Sequence, residues 1–256
     1  MRAAGAVLIG LLLAGLAPPA GRAADPSALW NIVHGQCVPN QQKTGEPDPC
    51  TQVELGEGVE RGYALLKDIR GTAQFLLIPT ARLSGIDDPA LLLPDAVNYW
   101  LPAWNARYLV EERLHATLPR DGFALAINSA YGRTQNQLHI HIDCIRPDVR
   151  QALKDHLVEV GPRWAPFPVP LAGNPYRAIR IDQETLDGVD PFRLLADSDP
   201  DAAANMGRHT LVLVGETFGD GSKGFLLLDG QATIVPPDPG SGERLEDHAC
   251  TLIRHS

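Results

Sequence analysis

Two histidines separated by one residue, His139 and His141, stand in an alternating run, Gln137-Leu138-His139-Ile140-His141-Ile142-Asp143. Residues i and i+2 of a strand share a face, so Gln137, His139, His141 and Asp143 are expected on one side and Leu138, Ile140 and Ile142 on the other. Two imidazoles on one face can share a phosphate, one ring nitrogen attacking phosphorus while the other donates a hydrogen bond, or they can hold a metal ion. The same alternation puts Cys144 on the apolar face, away from the histidines. His34, His115, His156, His209, His248 and His255 have no partner at such a spacing and read as surface or capping residues.

A strand carrying chemistry needs neighbours that fix it. Gly62 to Ile69 and Ala73 to Pro79 are two strand-like runs around Arg70-Gly71-Thr72 and read as a hairpin. Phe123 to Asn128 is a further strand that turns through Ser129 to Gly132 into the histidine strand, giving a second antiparallel hairpin. Between them, Trp100, Trp104, Tyr108 and Leu109 recur at helical spacing from about Tyr99 to Leu118, with Pro102 in the first turn. The two tryptophans read as core, with a lipid-facing role as the alternative. Pro147 opens a helix whose apolar stripe is Val149, Leu153, Leu157 and Val160, and Gly161 ends it. Further on, Trp164 to Pro175 reads as an irregular loop and Asp182 to Ala204 as short helices. Thr210 to Val214 and Gly224 to Leu228 form a hairpin that either extends the sheet or builds a second lobe. The expected class is therefore α+β, an antiparallel sheet with packed helices and a C-terminal α/β extension.

The chain of 256 residues, 44% hydrophobic and 21% charged, is long enough to bury a sizeable core. A net charge of -9 without a basic run argues against nucleic acid and other polyanions as partners. Arg2 followed by an apolar run from Ala3 to Ala17, Pro18-Pro19 and Gly21-Arg22-Ala23-Ala24 has the pattern of a secretory signal peptide, or of an uncleaved N-terminal anchor. Export makes the four cysteines read as two disulfides, for which three pairings are open. The short separation of Cys37 and Cys50 favours that bridge first, leaving Cys144 with Cys250. A zinc site is the lesser alternative, since no CxxC pair is present. The expected organisation is residues 1–24 as signal or anchor, 25–61 as a disulfide-containing segment with a Pro-rich loop, 62–161 as catalytic core and 162–256 as an extension with a hairpin.

The stretches YALLKDIRGTAQFLLIPTARLSGI and INSAYGRTQNQLHIHIDCIR resemble, in order and spacing, the two hairpins of the histidine-triad (HIT-like) superfamily of nucleotide hydrolases and transferases. More specifically CVPNQQ, LLKD, AINS, GRTQN, HIHIDCIRPDVR and the late Cys250 resemble the CDP-diacylglycerol diphosphatase family. The resemblance implies hydrolysis of CDP-diacylglycerol, a lipid substrate met at a membrane surface, to CMP and phosphatidate through a cytidylyl-histidine, with no metal or other cofactor. It implies a periplasmic protein, or one attached to the periplasmic side of the inner membrane.

Carried over residue by residue, the resemblance places the family glycine on Gly132, a phosphate-binding hydroxyl on Thr134, the nucleophile on His139 and the last triad histidine on His141. Gln137 stands where a first histidine is usual, so it can hydrogen-bond but cannot relay charge. Asp68 falls at the ribose-binding acid, Asn128 and Arg146 at substrate-binding positions. A rival register takes His139, His141 and Asp143 as the triad with His141 as nucleophile. Two other classes stay open: a metal-dependent exported phosphohydrolase with His139, His141 and Asp143 as ligands, and a non-catalytic exported nucleotide- or lipid-binding protein.

Overall fold

Runs of apolar residues with few charges, FLLIP, FALAI and IHIDC, are buried along their whole length and form the middle of one antiparallel sheet. The structure is a computed structural model that describes residues 25–255. The expected signal or anchor, residues 1–24, lies outside the described residues. Among the described residues nine strands, β1 (Gln52–Glu54), β2 (Tyr63–Lys67), β3 (Phe75–Pro79), β4 (Phe123–Ile127), β5 (Ile140–Cys144), β6 (Ala165–Pro166), β7 (Arg177–Ile181), β8 (His209–Thr217) and β9 (Lys223–Gln231), lie in the order β1-β2-β3-β5-β4-β8-β9-β7-β6. Every pairing is antiparallel, and both sheet edges are very short strands, which limits the unpaired backbone offered to another chain.

One face of the sheet carries a continuous core. Leu77, Leu125, Ile140, Ile142, Leu213 and Leu227 meet Trp100, Trp104 and Phe192 from the helices above. The expected helix over Tyr99–Leu118 is two helices, α3 (Trp100–Asn105) and α4 (Tyr108–Leu114). The amides of Leu109 and Val110 bond three residues back, to the carbonyls of Ala106 and Arg107. This tighter step brings Ala106, Leu109 and Val110 onto the buried side after Ala103. Both tryptophans are core residues, at 0% and 3% exposure, so the lipid-facing alternative does not hold.

The opposite face has two smaller cores with a gap between them. Over β2 and β3, helices α1 (Ala28–Ile32) and α2 (Val38–Thr44), joined by one wide turn, pack Leu29, Val33 and Val38 onto Ala64, Leu66, Leu76 and Ile78. The segment expected as a loop is thus largely helical, held by the Cys37–Cys50 disulfide and ended by Gly45 at a φ of 76°. Over β4, β8 and β9, helix α5 (Pro147–Asp155) packs Val149 and Leu153 onto Ala124, Val212, Val214 and Leu226. It stops earlier than Gly161, in a short 3-10 turn over Leu157–Glu159. Helices α6 (Pro191–Ser198) and α7 (Pro200–Ala204) match the short helices expected there.

The C-terminal hairpin extends the sheet, pairing β8 with β4 over Ala124↔Val214 to Ile127↔Leu211, and builds no second lobe. The last segment then crosses the second face. The Asp247 amide donates to the Cys144 carbonyl, the Arg146 amide to the Leu245 carbonyl, and Cys144 is bridged to Cys250. Both bridges are those favoured by the cysteine spacing, and with all four cysteines bridged none is a thiolate.

Candidate active site

The gap between the two small cores is where β5 turns its polar residues. Their cross-strand neighbours leave room for them: His141 lies between Leu76 and Ala126, and Asp143 beside Ala124. His139 stands just before β5. A cavity of about 410 Å3 opens over this strand, with α1, the turn 68–70, the loop 128–135 and the segment 241–243 as its walls. Of the residues expected to act, it brings together His139, His141, Asp68, Asn128 and Thr134, with Gly132. Gly132 answers a steric need, since a Cβ there would lie 2.8 Å from the Gly240 carbonyl oxygen.

The two histidines are held in complementary tautomers. His139 Nδ1 is 2.7 Å from the Gln137 carbonyl oxygen, which can only accept, so the proton sits on Nδ1 and the lone pair on Nε2. Burial holds the ring below its ordinary pKa against the opposing pull of that hydrogen bond, so it stays neutral at pH 7. His141, 4.9 Å away centroid to centroid, has its Nδ1 2.9 Å from the Gln74 amide nitrogen. With the amide so oriented, Gln74 donates, and the single proton of neutral His141 sits on Nε2. Burial, and next the neighbouring His139, push His141 well below its ordinary value. Its Nε2 is buried without a hydrogen-bond partner among the described residues. An unpaired buried donor costs about 1–3 kcal/mol, which an incoming acceptor such as a phosphoryl oxygen would recover.

Gln137 acts here through its backbone. Its side chain is buried and donates to the Pro79 and Ala81 carbonyls at 3.0 and 2.8 Å, while its own carbonyl orients His139. Arg146 is not brought to the cavity: it precedes α5, its side chain is 41% exposed and it pairs with Asp148 at 2.9 Å. Asn128 lies on the cavity wall, its amide donating to Glu243 at 2.7 Å and its carbonyl oxygen accepting from Ser241 at 3.0 Å. Asp68 accepts from the Arg70 amide at 2.8 Å and stays half-buried at the mouth.

Apart from Lys67 at the end of β2, the residues that sequence reasoning missed come from outside the two hairpins' strands. Lys67 and Arg70 bring cations to the cavity, burial lowering the Lys67 pKa. Gln135 ties α1 over the site, accepting from the Leu29 amide at 3.1 Å and donating to the Asp25 carbonyl at 2.9 Å. Most of the rest comes from the C-terminal segment. Glu243 approaches His141 Nδ1 at 3.4 Å. Behind Gln74 lies Glu246, which burial, and next Asp143, raise well above the usual carboxylate range. His248, expected to be a surface residue, holds Asp143 at 2.7 Å, and that bond raises the His248 pKa. Burial raises Asp143 despite it. The signal available in the sequence was Cys250: a bridge to Cys144 necessarily draws Glu246 and His248 to β5.

The same groups define where a cation could sit. His141, Glu243 and Glu246 offer ligand atoms within 4.8 Å of one another, as do Asp143, Glu246 and His248, whereas His139 belongs to neither set among the described residues. The ligand trio expected for a metal-dependent enzyme, His139 with His141 and Asp143, is therefore not the one the fold assembles.

The model of a family described as CDP-diacylglycerol pyrophosphatase matches residues 24–254. A CDP-diacylglycerol pyrophosphatase of Yersinia pestis is 42% identical over 234 residues, covering 91% of this chain and 88% of that protein.

Proposed function

The chain belongs to the CDP-diacylglycerol pyrophosphatase family and is a hydrolase of a diphosphate bond; from that premise we propose that it cleaves CDP-diacylglycerol to CMP and phosphatidate through a cytidylyl-histidine on His139. The observation that carries the mechanism is the pair of ring contacts in one cavity, His139 Nδ1 on the Gln137 carbonyl oxygen and His141 Nδ1 on the Gln74 amide nitrogen, from which we assign a lone pair to one Nε2 and an N–H to the other.

His139 Nε2 attacks the cytidylyl phosphorus, and the bond from that phosphorus to the bridging oxygen breaks with its electron pair leaving on phosphatidate. The imidazole, now substituted on Nε2, carries a positive charge that the Gln137 carbonyl stabilises through Nδ1–H. His141 Nε2–H donates to the phosphoryl oxygens, and Lys67 and Arg70 offset their charge. Water then attacks the same phosphorus, the P–N bond breaks, CMP leaves, and neutral His139 is restored. Glu243, on the cavity wall, is placed to take the proton of that water. Asp68 accepts the ribose hydroxyls, and Thr134 donates to phosphate. Arg146, at its distance from the cavity, would act only by steadying the start of α5.

The order of the two hairpins, β2–β3 then β4–β5, and the histidines at the start of β5 support a histidine-triad-like ancestry. Export to the periplasmic side of the inner membrane is supported by the apolar N-terminal run and by the two disulfides, which persist in oxidising compartments. No helix of the described residues is long and apolar enough to cross a membrane.

The test is a product assay with CDP-diacylglycerol in detergent, run on the wild type before and after exhaustive chelation and on His139→Ala. Equimolar CMP and phosphatidate from the chelated wild type, with none from the variant, is the expected result. Loss on chelation with recovery on adding a divalent cation would favour the His141, Glu243 and Glu246 site instead, and binding without turnover would favour a carrier.

A further inference from the structure

The cavity over the histidines is the first of three that share wall residues in series and so lay out a path. Ser241 belongs to its wall and also to the wall of a second cavity of about 430 Å3. That second space lies against Tyr176, Pro166 and Pro175 on one side and Pro236 and Pro237 on the other. A third space of about 570 Å3 shares Thr233, Pro237 and Asp238 with the second. It opens between Ile234 and Tyr131, which are 90% and 69% exposed, with Val235 at 87% beside them.

Most charges along this path are matched within the protein. Arg177 pairs with Asp229 at 2.6 Å and Asp199 at 2.7 Å, and Arg244 pairs with Asp238 at 2.8 Å. Arg208, exposed on the wall of the third cavity, makes no ion pair among the described residues, and Asn174, Thr210, Gln231 and Thr233 add polar groups, while most of the exposed lining is proline, aromatic and aliphatic. An exposed apolar tip at the outer end of such a path is unusual for a surface that meets only water.

We propose that this path is the acyl subsite: the phosphatidate half of the substrate crosses Ser241 into the second cavity, and its chains run through the third and leave past Ile234. The proposal rests on the reading of CDP-diacylglycerol as substrate and adds where its lipid lies. It makes specificity for the lipid a property of residues 231–241, separate from the groups that act on phosphorus.

Three substrates and two variants test it. The substrates are CDP-glycerol, CDP-dioctanoylglycerol held below its critical micelle concentration, and long-chain CDP-diacylglycerol in detergent. Ile234→Asp should lower kcat/KM for the monomeric dioctanoyl substrate about tenfold, mainly through KM, because a charge then lies against the chains. It should leave CDP-glycerol turnover, or the inhibition constant of CMP where that ester is not cleaved, within about twofold, and Ile234→Leu should behave as wild type. An unchanged dioctanoyl reaction overturns the subsite; if the loss then appears only in detergent, the tip docks on a lipid surface and holds no chain. An equal loss on every substrate also overturns it. A wild type inactive on all three would instead remove the functional reading on which the subsite stands.

Discussion

The two faces of β5 do different work with equally buried residues. On one face Leu138, Ile140, Ile142 and Cys144 merge with the large core, where the first three contribute volume and little else and Cys144 also carries the bridge to Cys250. On the other, His139, His141 and Asp143 are 7%, 4% and 0% exposed, yet each has a named polar partner: the Gln137 carbonyl, Gln74 and His248. The apolar face fixes where the strand lies to the precision of a packed interior, and the polar face inherits that precision. Burial on the first face stabilises the fold, whereas on the second it sets protonation states.

If that division is right, changes on the two faces should have separable consequences. The largest effect belongs to the nucleophile: His139→Ala should lower kcat by about 10^4-fold or more while leaving the thermal transition within a few degrees. His141→Ala removes a donor to the phosphoryl oxygens and should cost about 10^2 to 10^3-fold in kcat. CMP should still bind to it, as inhibition of the residual reaction would show. Ile142→Ala, one residue further on the opposite face, should reverse the pattern. It should cost about 2–5 kcal/mol of stability by denaturant titration, with kcat of the folded fraction near wild type. Comparable losses of both kinds in all three variants would mean that the faces are not separable.

Smaller effects sharpen the comparison. Burial holds His139 and His141 below 6.5, so kcat/KM should be level from pH 8 to about 6.5 and fall only as the pH drops further. The unfolded chain takes up these protons first, so the pair contributes stability that is present above the unfolded value and lost as pH falls below it. An acid limb centred above 6.5 would show that the rings are not desolvated in solution. Asp68→Ala should weaken CMP inhibition by about 10- to 100-fold, the equivalent of one hydrogen bond to a charged acceptor, without moving that acid limb.

How much of this was legible depended on how local the cause was. The alternation from Gln137 to Asp143 is a two-residue period, and it located both faces of β5 and the order of the hairpins. The break between α3 and α4 was not legible, because the register is reset by packing around Ala106. β7 was hidden behind a proline-rich stretch and by Arg177 and Arg180, which three residues apart put a cation on each face and break the alternation. Hardest to read were Gln74, Glu243, Glu246 and His248, since a lone glutamine or glutamate carries no spacing signal and the last three lie about a hundred residues from β5. Only the Cys144–Cys250 bridge, with its sequence separation of 106, joined that segment to the site in advance.

The central claim is that His139 bonds to phosphorus while His141 does not. Rapid mixing with CDP-diacylglycerol labelled in the cytidylyl phosphate, quenched in alkali within one turnover and digested, should yield an acid-labile phosphoramidate on the peptide at His139 and none at His141. A label on His141, or full single-turnover product formation with no labelled histidine at any quench time, would contradict the account.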